Sequence, residues 1–117
     1  MRPIARISAA VLIALHGAVA LAEEGWTLLD GPGIQTALTG VTLDYPGAWQ
    51  DFRETGRTLY NAGVDSWGYW QVQDDRYCSQ WPPNAFWACY DVHQRGNEIR
   101  FTGAHDDVSI GVIQEAP

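Results

Sequence analysis

His105-Asp106-Asp107 has the residue types for acid–base chemistry. An imidazole can act as a general base, and a carboxylate can orient it. Adjacent residues in a strand or turn point in different directions, however. The tripeptide also follows Gly103, where polar turn residues are expected, so a solvated loop accounts for it. As a metal site it offers one imidazole and two carboxylates, with His93 as the other imidazole downstream of position 22. A usable site needs three or four converging ligands. Asp74-Asp75 has the composition of a carboxylate dyad, but it lies between two apolar-patterned runs and reads as a hairpin tip. Ser66, Ser79 and Ser109 have no His and acid partners nearby in sequence, and the G-x-S-x-G nucleophile elbow is missing. Gly31-Pro32-Gly33 resembles part of a phosphate-cradling loop without the preceding strand or any lysine, and reads as the start of a helix. No catalytic, cofactor-binding or metal-binding residue is therefore assigned, and no cofactor is expected.

Cys78 and Cys89 are the two cysteines of the chain. In an exported protein such a pair reads as a disulfide. If two strands pair antiparallel around a turn at Pro82-Pro83-Asn84-Ala85, position 78 falls opposite position 89. Directly opposed residues of a non-hydrogen-bonded pair bring their Cβ atoms near disulfide distance. The alternative is a redox or metal-binding thiol pair, which would be served better by C-x-x-C spacing.

Aromatic residues are the strongest remaining signal. Trp49, Trp67, Trp70, Trp81 and Trp87 lie in a chain with fourteen aromatic side chains. Core packing explains some of them. Trp81-Pro82-Pro83-Asn84-Ala85-Phe86-Trp87 is a stapled loop too short to bury three large rings against itself. Trp and Tyr dominate binding hot spots. Trp81, Phe86, Trp87, Trp67 and Tyr69 therefore form the candidate binding surface.

The first 22 residues carry a different message. Arg2 and Arg6 precede an apolar run over 7–15, and Ala20-Leu21-Ala22 fits a small-x-small cleavage site. Residues 1–22 are predicted to be a secretory signal cleaved after Ala22, with Ala20 as the second candidate site. The apolar run is short for a membrane span, so no stable membrane anchor is expected. Residues 23–117 then form a single β-rich domain. They hold five arginines, no lysine and all fourteen acids, for a formal charge of −9. That balance excludes a nucleic-acid footprint and suits a basic partner. The 117 residues also exclude a multidomain enzyme and a doubly wound nucleotide-binding fold.

These residues must be positioned by short elements. Asp30 is a potential N-cap, with Pro32 near the first helical position and Gly40 as a stop, which predicts one short helix. Turn signals then recur about every eight to ten residues, from Pro46-Gly47 to Gly103–Asp107, the rhythm of an antiparallel all-β domain. The strands predicted between them are 41–45, 48–53, 58–62, 66–73, 76–80, 87–93, 98–102 and 108–113. Connections this short impose sequential hairpins. Gly68, Trp70 and Val72 share one strand face, with Trp67 and Tyr69 on the other. Ile99 and Phe101 share a face, and Val108, Ile110 and Val112 alternate with Ser109 and Gly111. The expected fold is mainly β: a strongly curved antiparallel meander or small β-barrel of seven to eight strands, with one short N-terminal helix on an end or open edge.

In order along the chain come Leu38-Thr39-Gly40-Val41-Thr42, Gly68-Tyr69-Trp70-Gln71-Val72, Tyr77-Cys78-Ser79-Gln80-Trp81 and Cys89-Tyr90-Asp91-Val92. This L-x-G-x-T … G-x-W-x-V … C-x-x-W … C-Y-x-V pattern resembles a family of small exported proteobacterial proteins of unknown function. The likeness runs from Leu38 to Ile113, and the final segment has fewer glycines than is usual for the group. It implies a periplasmic β-rich domain with a Cys78–Cys89 bridge and carries no catalytic assignment.

The expected function is a noncatalytic small-ligand or protein-binding module, periplasmic or secreted. The alternative is an inhibitor of a basic hydrolase such as a lysozyme, which negative charge would steer. The third reading is a small enzyme that uses His105 or His93.

Overall fold

A computed structural model describes residues 24–115 of the chain. The predicted signal, residues 1–22, and its cleavage site lie outside the described residues. A two-residue strand β1 (Thr27–Leu28) is followed by helix α1 (Gly31–Leu38). Eight strands come next: β2 (Val41–Tyr45), β3 (Ala48–Phe52), β4 (Arg57–Asn61), β5 (Asp65–Gln73), β6 (Arg76–Gln80), β7 (Ala88–Arg95), β8 (Glu98–Thr102) and β9 (Val108–Ile113). Each strand from β2 to β9 pairs antiparallel with the next, and β9 returns to pair with β2. The sheet therefore closes into an eight-stranded up-and-down barrel, which abolishes the free edges of an open meander. The extra strand β1 borders the far half of β7, where Leu28 faces His93.

The register explains what lies inside. Leu43 faces Gln50, Gln50 faces Tyr60, Tyr77 faces Tyr90, and Phe101 faces Ser109. Directly opposed residues share a face, so all of these point into the barrel. The outer side of β9 carries Val108, Ile110 and Val112, each 40–51% exposed. The small residues Ser109 and Gly111 take the inner side because large rings from neighbouring strands already fill that space. A Cβ at Gly111 would sit 2.9 Å from the ring of Tyr45.

Helix α1 stops one end of the barrel. Asp30 is its N-cap, and its carboxylate accepts from the Gly33 N–H at 2.9 Å. Asp75 reaches it from the β5–β6 turn and accepts from the Gly31 N–H at 2.7 Å. Asp74 and Asp75 both have positive φ, the backbone of a two-residue hairpin turn. The candidate dyad is thus a hairpin tip, and one of its carboxylates helps hold the helix. Ile34 and Leu38 are fully buried and join Leu43, Phe52, Trp70, Val92 and Ile99 in the core. Phe52 meets Trp70 edge-on at 5.8 Å between centroids and Tyr77 at 5.7 Å.

Cys78 and Cys89 face each other across β6 and β7 and are joined as a disulfide, with 4.0 Å between their Cα atoms. Among the described residues no helix is long and apolar enough to cross a membrane.

Candidate functional site

The inner face changes character along the barrel axis. Near α1 it is apolar and filled by core side chains, Phe52 and Trp70 among them. Toward the other end, where the β2–β3, β4–β5, β6–β7 and β8–β9 connections lie, the inward residues are Tyr45, Gln50, Tyr60, Ser79, Tyr90 and Ser109. These surround a cavity of about 570 Å³. Tyr77 and Phe101 reach it from the core, and Trp81 covers one side from the end of β6. A volume of this size fits a small molecule.

Three rings of the wall rest on glycines. A Cβ at Gly68 would come 2.6 Å from Trp81, and one at Gly103 would come 2.7 Å from Tyr90; Gly111 stands in the same relation to Tyr45. Small residues on one strand thus let a ring on its neighbour lie close to the wall. The rings also order one another. Tyr60 meets Trp81 edge-on at 6.2 Å, Tyr45 lies 6.3 Å from Tyr60, and Tyr77 is 5.9 Å from Tyr90. Such pairs gain from the ring quadrupoles beyond simple area burial.

A polar network lies beneath the rings. Tyr45 donates to Gln50 Oε1 at 3.0 Å. Gln50 Nε2 donates to Thr58 Oγ1 at 2.9 Å and to the Tyr77 hydroxyl at 3.3 Å. Thr58 donates in turn to the Asp51 carbonyl at 2.7 Å. Trp81 Nε1 donates to Ser79 Oγ at 3.2 Å. Burial pushes the Tyr77 phenol up to about 12, with hydrogen bonds from Ser79 and Gln50 opposing the shift. Burial raises the Tyr45 phenol further and that of Tyr90 as well, where the Asp107 carboxylate adds to the effect. The cavity wall is therefore uncharged at neutral pH.

Of the aromatics singled out in the sequence, Trp81 lines this cavity. Phe86 and Trp87 belong to the loop after β6, and Phe86 is 80% exposed. Trp67 and Tyr69 face outward on β5. The guanidiniums of Arg53 and Arg57 lie 4.8 and 4.7 Å from the Trp67 ring, and Arg57 lies 5.3 Å from Tyr69. Trp70 is core, and Trp49 lies on the outer side of β3, opposite Asp44 and Asn61. As binding residues, Tyr45, Tyr60, Tyr77, Tyr90 and Gln50 were passed over in the sequence. Tyr45 closes the predicted strand 41–45, but Tyr60 and Tyr90 fall inside 58–62 and 87–93, and nothing in the sequence marked their faces as inward. Trp26 was also passed over. It packs outside the barrel between Arg95 and Arg100, at 4.3 and 4.7 Å.

His93 and His105 are not gathered into a site. His93 stands on the outer side of β7 opposite Arg100, whereas His105 lies in the exposed 3₁₀ turn Ala104–Asp106 with φ of 57°. Among the described residues no three His, Cys, Asp or Glu side chains converge to hold a metal. No family model matches the chain, and no curated protein or solved structure matches it.

Proposed function

We propose that this protein is a noncatalytic binding module that takes a small molecule into the open end of its barrel. The observation that carries this reading is the cavity of about 570 Å³, walled by Tyr45, Tyr60, Tyr90 and Trp81 over a polar floor. Apolar walls with a few placed polar groups are the usual composition of small-molecule sites. The closed sheet and the helix at the opposite end favour a rigid cup over a surface groove. The disulfide and the leader-like first 22 residues favour export to an oxidising compartment.

The test is a titration with N-phenyl-1-naphthylamine, an uncharged aromatic dye. Saturable one-to-one fluorescence enhancement is expected, with loss in Ser109→Phe, which fills the cavity from β9. Enhancement that never saturates, or that survives the filled cavity, would overturn the reading.

A second reading, inhibition of a basic hydrolase, draws on the exposed Phe86 and the formal charge of −9 over residues 23–117. Lysozyme assayed with micromolar protein tests it, and unchanged lysis kinetics would end it.

A further inference from the structure

The hydrogen-bond directions in the cavity floor follow from one anchored proton. Thr58 donates to the Asp51 carbonyl, so toward Gln50 its oxygen acts as acceptor. That orients the Gln50 amide, with Nε2 toward Thr58 and Oε1 toward Tyr45. Tyr45 therefore spends its proton on Gln50 Oε1. The second Gln50 amide proton goes to the Tyr77 oxygen, and the Trp81 indole, which can only donate, gives its proton to Ser79 Oγ.

Tyr77 and Ser79 sit two residues apart on the inner face of β6, and both line the cavity. They receive two N–H donors from outside and own two hydroxyl protons. At most one of those protons is spent within the pair. Among the described residues neither hydroxyl donates to a third group. Whichever oxygen holds it, an O–H donor is left facing the cavity. A ligand that displaced water from this donor without replacing the bond would leave it unsatisfied at a cost in free energy, whereas a bound acceptor keeps it satisfied.

Charge narrows the choice further. Among the described residues no charged side chain lines the cavity. Arg53, Arg57, Arg95 and Arg100 all stack on Trp67 or Trp26 outside the barrel. A carboxylate in the cup would be buried without a counter-ion. A cation would meet the ring faces favourably but would also face the positive end of the unspent O–H.

Resting on the reading of this cavity as a ligand site, we infer that its occupant is an uncharged, ring-bearing molecule whose buried end is a hydrogen-bond acceptor, such as a ketone, ester or amide carbonyl. The rings hold its apolar body, and the Tyr77–Ser79 pair holds the acceptor.

Four probes with one ring system and different ends test this on the full chain by calorimetric titration. They are 2-acetonaphthone, 2-ethylnaphthalene, 2-naphthoate and (2-naphthyl)trimethylammonium. The ketone is expected to bind about five- to tenfold more tightly than the hydrocarbon, the range of one net hydrogen bond. Both ions are expected to bind more weakly than either. The infrared carbonyl stretch of bound 2-acetonaphthone should fall below its position in hexane, as it does when an O–H donates to it. Ser109→Phe should abolish binding of the ketone. A hydrocarbon that binds as well as the ketone, an ion that binds most tightly, or a hexane-like carbonyl stretch would overturn the inference and leave the cup standing as a ligand site. Failure of all four probes would take both down. Should Ser109→Phe not fold, the ranking and the carbonyl stretch in the unaltered protein still decide.

Discussion

The indole of Trp81 packs against the backbone of Gly68, where a Cβ would come within 2.6 Å of Trp81 Cε3 and 2.7 Å of the Gln80 carbonyl. The glycine is thus required by the neighbouring ring. Gly68→Ala should displace Trp81 from the cavity wall and cost about 1–3 kcal/mol, the range for overpacking. Urea denaturation together with the dye titration checks this. Unchanged stability with unchanged dye affinity would show that the wall tolerates the methyl group.

The Cys78–Cys89 bridge closes a short loop, with a sequence separation of 11. The strands it joins are also held by backbone pairing from Tyr77 to Ser79. Cys78→Ala with Cys89→Ala should therefore lower stability by about 2–3 kcal/mol in the chain-entropy picture while leaving the barrel folded. Urea midpoints before and after reduction of the unaltered protein should show the same displacement.

Alkali should unfold the protein through its buried phenols. Desolvation raises the folded-state pKa of Tyr45, Tyr77 and Tyr90, with Tyr77 pushed up to about 12 against an unfolded value of about 10. Between those values the unfolded chain has lost protons that the folded chain keeps. Stability from this source is fully present below about pH 10 and is lost as pH rises toward the folded values. Phenolate absorbance followed alongside circular dichroism checks the sign. All five tyrosines titrating in one step with the fold intact would contradict it.

Two carboxylates hold the N-terminus of α1, one local and one from the β5–β6 turn. Asp30→Ala removes the acceptor for Gly33, and Asp75→Ala removes the acceptor for Gly31. Each should cost about 1 kcal/mol, as for other lost helix caps. Thermal denaturation of the two single variants and the double variant measures both losses and their coupling. Asp75→Ala without effect would mean that water replaces this contact fully.

The short elements were legible because each carries its own local instruction. Asp30 and Pro32 mark the start of α1, and β2, β6, β8 and β9 fall on the predicted spans 41–45, 76–80, 98–102 and 108–113. The pairing of position 78 with 89 followed from hairpin geometry alone, because a short connection leaves few registers open. Strand β1 was not legible. Its two residues have no periodic pattern, and they pair with the distant His93 and Gln94.

Closure of the barrel and the position of the cavity were decided only in three dimensions. Period two divides a strand into two faces, but it does not say which face looks inward. In β9 the apolar set Val108, Ile110 and Val112 faces out, because rings from other strands occupy the space beside Ser109 and Gly111. The cup forms for the same reason. Tyr45, Tyr60, Tyr77 and Tyr90 are scattered over 46 positions of the chain, on four different strands. They converge only when β9 pairs with β2 and brings their inward sides around one space. Local propensity acts through neighbours in sequence and so settles the strands. The cavity depends on contacts between residues far apart in the chain, and those exist only once the sheet has closed.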